Sequence, residues 1–150
     1  MLDSVIFGGK ERVAILLANQ LARMGYESHL IATRSEGPQR PLISDQVRFF
    51  CADRTARWDL QGLNRVRDYL RQNEIELVHT HDRGSAYILR LLSLFGSSPL
   101  HVVHDHDGPG LGDRRFMLLD ALMLRGADAG IAVSDGLRDQ LARALRLPPK

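Results

Sequence analysis

The side chains that could do chemistry fall in three short stretches of this 150-residue chain. Gly8, Gly9 and Lys10 open an amphipathic segment, His79, His81 and Asp82 follow one apolar run, and His104, Asp105, His106, Asp107 and Gly108 follow another. Glycines ahead of a helix let a ligand approach the main chain, and the first-turn N–H groups with the positive end of the helix dipole favour phosphate or carboxylate. A plain strand-to-helix turn uses the same residues. Imidazoles and carboxylates at strand ends can bond hydroxyls or ligate a transition metal. A single strand histidine is more often a satisfied structural residue, but two His/Asp clusters at successive strand ends point to a site.

Two chemistries compete for these clusters. A metal-dependent hydrolase would use the His-x-His and His-Asp-His strings as ligands, yet their spacing matches no specific zinc signature and the Gly8-Gly9 turn is left without a role. A sugar or phosphate site employs both features, with His and Asp bonding hydroxyls and the glycine turn receiving a phosphate. Gly8-Gly9 lacks the Gly-x-Gly-x-x-Gly pattern of dinucleotide sites, and Glu11 after Lys10 rules out a phosphate loop ending in Gly-Lys-Ser/Thr.

The elements that must position these residues alternate. Leu2–Phe7 reads as the tail of a strand, broken by Asp3 and Ser4. Val13, Leu16, Leu17, Leu21 and Met24 recur at helical spacing, Glu11 and Arg12 read as solvated charges at the helix start, and Gly25 reads as the stop. Strands are predicted over Tyr26–Thr33 and Val47–Cys51, around a loop containing Gly37, Pro38 and Pro41. A helix over Leu60–Asn73 buries Leu63, Val66, Tyr69 and Leu70. Strand Ile75–Thr80, helix Ser85–Phe95, strand Leu100–Val103, helix Phe116–Leu124 and strand Ala129–Val133 follow. Ser134 caps a closing helix from Gly136 to about Leu145, and Leu147-Pro148-Pro149-Lys150 reads as a linker. The fold class is α/β, a Rossmann-like parallel sheet with helices on both faces and a truncated first strand. Ligands of such sheets bind beyond the carboxyl ends of the strands, where the three stretches fall. Alternation along a strand puts His79 and His81 on one side of theirs, and His104 and His106 on one side of theirs.

Composition narrows the class. Residues are 44% hydrophobic and 25% charged, enough for one cored domain. The net charge of +2 arises from interspersed charges, so no nucleic-acid partner is expected. Cys51 is the only cysteine, which excludes an internal disulfide and fits a reducing, cytoplasmic setting. No run reaches the roughly 18 to 20 apolar residues of a membrane span, and no basic segment and apolar core mark a signal peptide. Arg114 and Arg115 beside an apolar helix leave peripheral membrane contact open, although a buried helix has the same pattern.

Three motifs in register with these elements carry a resemblance. Phe7-Gly8-Gly9-Lys10-Glu11-Arg12-Val13 with Leu17-Ala18-Asn19-Gln20-Leu21-Ala22 and Gly25-Tyr26-Glu27, then Leu77-Val78-His79-Thr80-His81, then Ala127-Asp128-Ala129-Gly130-Ile131-Ala132-Val133-Ser134 resemble the N-terminal domain of GT-B glycosyltransferases of retaining family 4. The resemblance implies an acceptor-side domain that works with a second, donor-binding C-terminal domain. It implies transfer of a sugar, of hexosyltransferase type, from a nucleotide-diphosphate sugar to a hydroxyl on a glycan, lipid or small molecule, with no cofactor and no metal. The family's glycine loop falls on Gly8 and Gly9, near the donor diphosphate and acceptor, with Lys10 beside them. Its sugar-contacting histidine falls on His106, or on His104 in the alternative register. His81 and Asp82 would line the acceptor cleft.

The chain departs from the family pattern at both ends. Met1 stands inside the region of the first strand, and the chain stops at Lys150, before any donor domain. The expectation is that this chain alone does not turn over sugar. A non-catalytic ligand-binding module is the remaining alternative.

Overall fold

The structure, a computed structural model, describes residues 1–94, 96, 99–106 and 126–139. The predicted helix at 116–124, Arg114, Arg115, Asp107, Gly108, the closing helix beyond residue 139 and the terminal linker lie outside the described residues. The chain divides into two compact units, Met1–Glu76 and Leu77–Lys150.

The first unit is built around three parallel strands, β1 (Leu2–Ser4), β2 (His29–Ser35) and β3 (Arg48–Cys51), in the order β1-β2-β3. β2 and β3 pair in steady register from His29 opposite Arg48 to Ala32 opposite Cys51, whereas β1 has an irregularity between Leu2 and Ser4. Asp3, which seemed to interrupt the apolar run, lies within β1. Its Oδ1 accepts from Thr33 Oγ1 at 2.7 Å and from an Arg54 guanidinium nitrogen at 3.0 Å, and its Oδ2 pairs with Arg34 at 3.2 Å. One carboxylate therefore ties β1 to β2 and to the chain after β3.

Helix α1 (Gly9–Arg23) ends where Gly25 indicated. Gly25 has φ +89°, its N–H donates to the Ala22 carbonyl at 3.0 Å, and the Tyr26 N–H donates to the Leu21 carbonyl at 3.1 Å. That pair of bonds closes the last turn with a left-handed residue only glycine adopts cheaply. The buried face differs from the predicted stripe. Ala14, Ile15 and Ala18 pack into the core with Leu2, Val5, Leu30, Ala32, Ile43 and Val47, while Val13, Leu16 and Met24 are exposed. Small side chains let the helix lie close to the strands, so the large apolar residues on the flank remain outside. Glu11 is also corrected, being 4% exposed rather than solvated.

A short 3₁₀ turn, Arg40–Leu42, replaces part of the expected loop. Before it, Gly37 lies against the β1–α1 loop so closely that a Cβ would overlap the Val5 carbonyl, and Gln39 reaches the Ile6 carbonyl through its side chain and the Val5 carbonyl through its N–H. Gly37→Ala must push one loop off the other. It is expected to cost about 1–3 kcal/mol in urea unfolding, and a loss below about 0.5 kcal/mol would show that the loops do not depend on each other.

Helix α2 (Leu60–Gln72) starts at Asp59, whose Oδ1 accepts from the Gly62 N–H at 2.9 Å. That bond, with a further one from Thr55, lowers the Asp59 pKa below the usual carboxylate value. Leu63, Val66 and Leu70 are buried as predicted, and Tyr69 stacks on Phe50 at 4.1 Å and meets His29 Nδ1 at 2.8 Å.

The second unit repeats the parallel arrangement with β4 (Leu77–Thr80), β5 (Leu100–Asp105) and β6 (Ala129–Ala132), in the order β4-β5-β6. Helix α3 (Arg83–Ser93) follows β4 and buries Ser85, Ala86, Ile88 and Leu89. It begins two residues before the predicted start because Asp82 caps it, with Oδ1 accepting from the Ser85 N–H at 2.7 Å. β5 runs two residues beyond the predicted Val103, which brings His104 and Asp105 into the strand. Asp128 clamps β6 to β5: its N–H donates to the His101 carbonyl at 2.8 Å, and its Oδ2 accepts from the His101 N–H at 2.7 Å. Ser134 caps the helical residues 135–139, its Oγ accepting from the Leu137 N–H at 3.2 Å.

The fold is α/β and Rossmann-like, with a three-stranded parallel sheet in each unit. No helix among the described residues is long and apolar enough to cross a membrane.

Candidate functional site

In the second unit, register builds a row of imidazoles. Thr80 pairs with Val103, so the next residues, His81 and His104, come opposite each other. Alternation then places His79, His81, His104 and His106 on one face, near the carboxyl ends of β4 and β5. The rings confirm it: His79 and His81 stack at 4.4 Å, His104 and His106 stack at 4.1 Å, and His81 lies 5.2 Å from His104. His81 Nδ1 is 3.3 Å from His106 Nε2. His104 and His106, which the sequence left as alternatives, are neighbours in one row.

The opposite face carries a separate pair. His101 Nε2 lies 2.9 Å from Thr80 Oγ1, and alternation directs Asp105 to that side as well. His101 escaped the reading of the sequence because it precedes the polar cluster at the strand end. The Thr80 partner and the Asp128 clamp account for it structurally.

Burial keeps His79, His81 and His104 neutral. It pushes the pKa of His79 down to about 4 and that of His81 down to about 2, and the neighbouring imidazoles add to both shifts. His104 is lowered for the same reasons, burial first and His106 second. At pH 7 these rings are hydrogen-bonding and metal-ligating groups rather than cations. His81 is 3% exposed and sandwiched in the row, and the Asp82 carboxylate caps α3 through Oδ1.

The Gly8-Gly9 turn belongs to the first unit. Gly8 is the extended N-cap of α1 and has no side chain with which to cap. The Glu11 carboxylate folds back into the space a Gly8 Cβ would fill, placing a negative charge at the positive end of the helix. Gly9 is different: a Cβ there would meet nothing within 4 Å. Any close approach by a ligand is thus more open at Gly9 than at Gly8. Lys10 is half-buried beside it, and Arg12 is exposed.

Comparison with known families agrees with this architecture. A family model described as Glycosyltransferase Family 4 matches residues 7–150, from the residue before Gly8 to the end of the chain. No curated protein matches the chain.

Proposed function

The chain belongs to glycosyltransferase family 4, and from that premise we propose that it is the acceptor-side domain of a retaining hexosyltransferase. The donor is a nucleotide-diphosphate sugar and the acceptor a hydroxyl on a glycan, lipid or small molecule. The observation that carries this reading is the stacked imidazole row at the ends of β4 and β5, in a chain whose family transfers sugars. His106 bonds a hydroxyl of the transferred sugar. His81 holds the His106 ring through the Nδ1 to Nε2 contact and acts as a positioning residue. His104, stacked on His106, limits its rotation.

The diphosphate approaches α1 at Gly9, where main-chain N–H groups and the helix dipole favour an anion and Lys10 adds charge. Glu11 must release its position over Gly8 if phosphate comes that far. A second, donor-binding domain completes the reaction centre, and no cofactor is required. A cytoplasmic location, with peripheral membrane contact for a lipid acceptor, fits the lone thiol of Cys51.

The test is release of nucleoside diphosphate and labelled product when the chain, together with a donor-binding domain, is given a panel of nucleotide sugars and hydroxyl acceptors, with no turnover expected of the chain alone. No transfer and no donor binding across the panel would leave the non-catalytic module as the better description. Gly9→Ala separates a ligand role from a plain turn. The added methyl enters open space and improves helix propensity, so stability should be unchanged or rise by about 0.5–1 kcal/mol. Donor affinity, measured by calorimetry, should fall about tenfold because the phosphate can no longer reach the main chain. Unchanged affinity would reduce Gly8-Gly9 to a turn.

A further inference from the structure

We propose that His79, His81 and His104 form a three-imidazole binding site for a divalent transition metal of the zinc type. One nitrogen from each ring lies within 4.8 Å of the other two, on a single face of two hydrogen-bonded strands. A tetrahedral ion with metal–nitrogen bonds of about 2.0–2.1 Å needs nitrogens about 3.3 Å apart. The gap is within reach of small side-chain rotations and leaves the backbone ladder intact. Imidazole suits zinc, copper, nickel and cobalt, whereas magnesium and calcium prefer oxygen ligands. Three protein nitrogens leave a fourth position for water or another oxygen ligand.

A second observation points to an ion. His104 Nδ1 is buried and has no hydrogen-bond partner among the described residues, a costly condition for a polar ring atom. The His81–His106 contact supplies the outer support common at such centres: with His81 Nδ1–H donating to His106 Nε2, the Nε2 lone pair of His81 is the one presented to the ion. Linear spacing matches no zinc signature because the ligands come from two strands and meet only through their register. The inference goes beyond sugar transfer and does not depend on it, since its test reads metal and not product.

The experiment uses the chelator-treated, full chain titrated with Co²⁺ alone and then Zn²⁺ alone, followed by X-ray absorption of the zinc form. One equivalent of Co²⁺ with the visible bands of a tetrahedral ion, displaced by Zn²⁺, is expected, with three imidazoles counted around zinc. His79→Asn and His104→Asn should weaken binding by about 100-fold or more and His106→Asn by about 10-fold. His29→Gln, in the other unit, should leave binding unchanged, and circular dichroism confirms that each variant is folded. Absence of a stoichiometric equivalent in the wild type, fewer than three imidazoles around zinc, or wild-type affinity in folded His104→Asn would each overturn the proposal.

Discussion

Alanine in place of Asp3 is expected to lower the stability of the protein by about 3 kcal/mol, the cost of leaving a buried cation without its counter-charge. The Arg54 side chain is 4% exposed and that of Asp3 is 40% exposed, so the charge that cannot return to water is the guanidinium. Its bonds to the Ala56 and Arg57 carbonyls satisfy donors but supply no negative charge. Thr33 loses its acceptor in the same substitution. Because Asp3 is partly hydrated, the value belongs at the lower end of the range for broken buried pairs. Urea unfolding of Asp3→Ala and of the double variant Asp3→Ala/Arg54→Met separates charge burial from packing. The double variant should recover a substantial part of the loss. If the single variant is within about 0.5 kcal/mol of wild type, the carboxylate does not hold the first strand.

Replacing His106 with alanine is expected to reduce kcat of sugar transfer, measured with the donor-binding domain present, by about 10²- to 10³-fold, equivalent to about 2.7–4 kcal/mol of lost transition-state stabilisation. A contact to the transferred sugar matters most as charge develops at its ring, so KM for the donor should change far less than kcat. His104→Ala should cost less, because its ring acts on His106 through stacking at 4.1 Å. Steady-state kinetics at saturating donor distinguish the two. Full activity in His106→Ala with collapse in His104→Ala would assign the sugar contact to His104.

These two predictions were unequally legible in the sequence. The histidines stood out because they lie two apart, a spacing that fixes a shared side along any strand. Asp3 did not, since a lone acid in a short apolar run reads as an interruption; its partners are 30, 31 and 51 residues away in sequence. Asp82 stood out by its place at a strand end, while its role as a helix cap follows from the three-residue interval to Ser85.

By itself the sequence determined the alternation of strands and helices, the stop at Gly25, the cap at Ser134 and the pairing of histidines along each strand. All of these depend on neighbours a few residues apart, where backbone geometry leaves few choices. Only the tertiary structure decided that His81 comes opposite His104, that α1 buries alanines and leaves Leu16 exposed, and that Asp3 neutralises Arg54. Register, close approach and charge pairing are settled between segments distant in the chain, by which surfaces pack and which charges lose their water. The imidazole row is the joint product: two local spacings, brought side by side by one register.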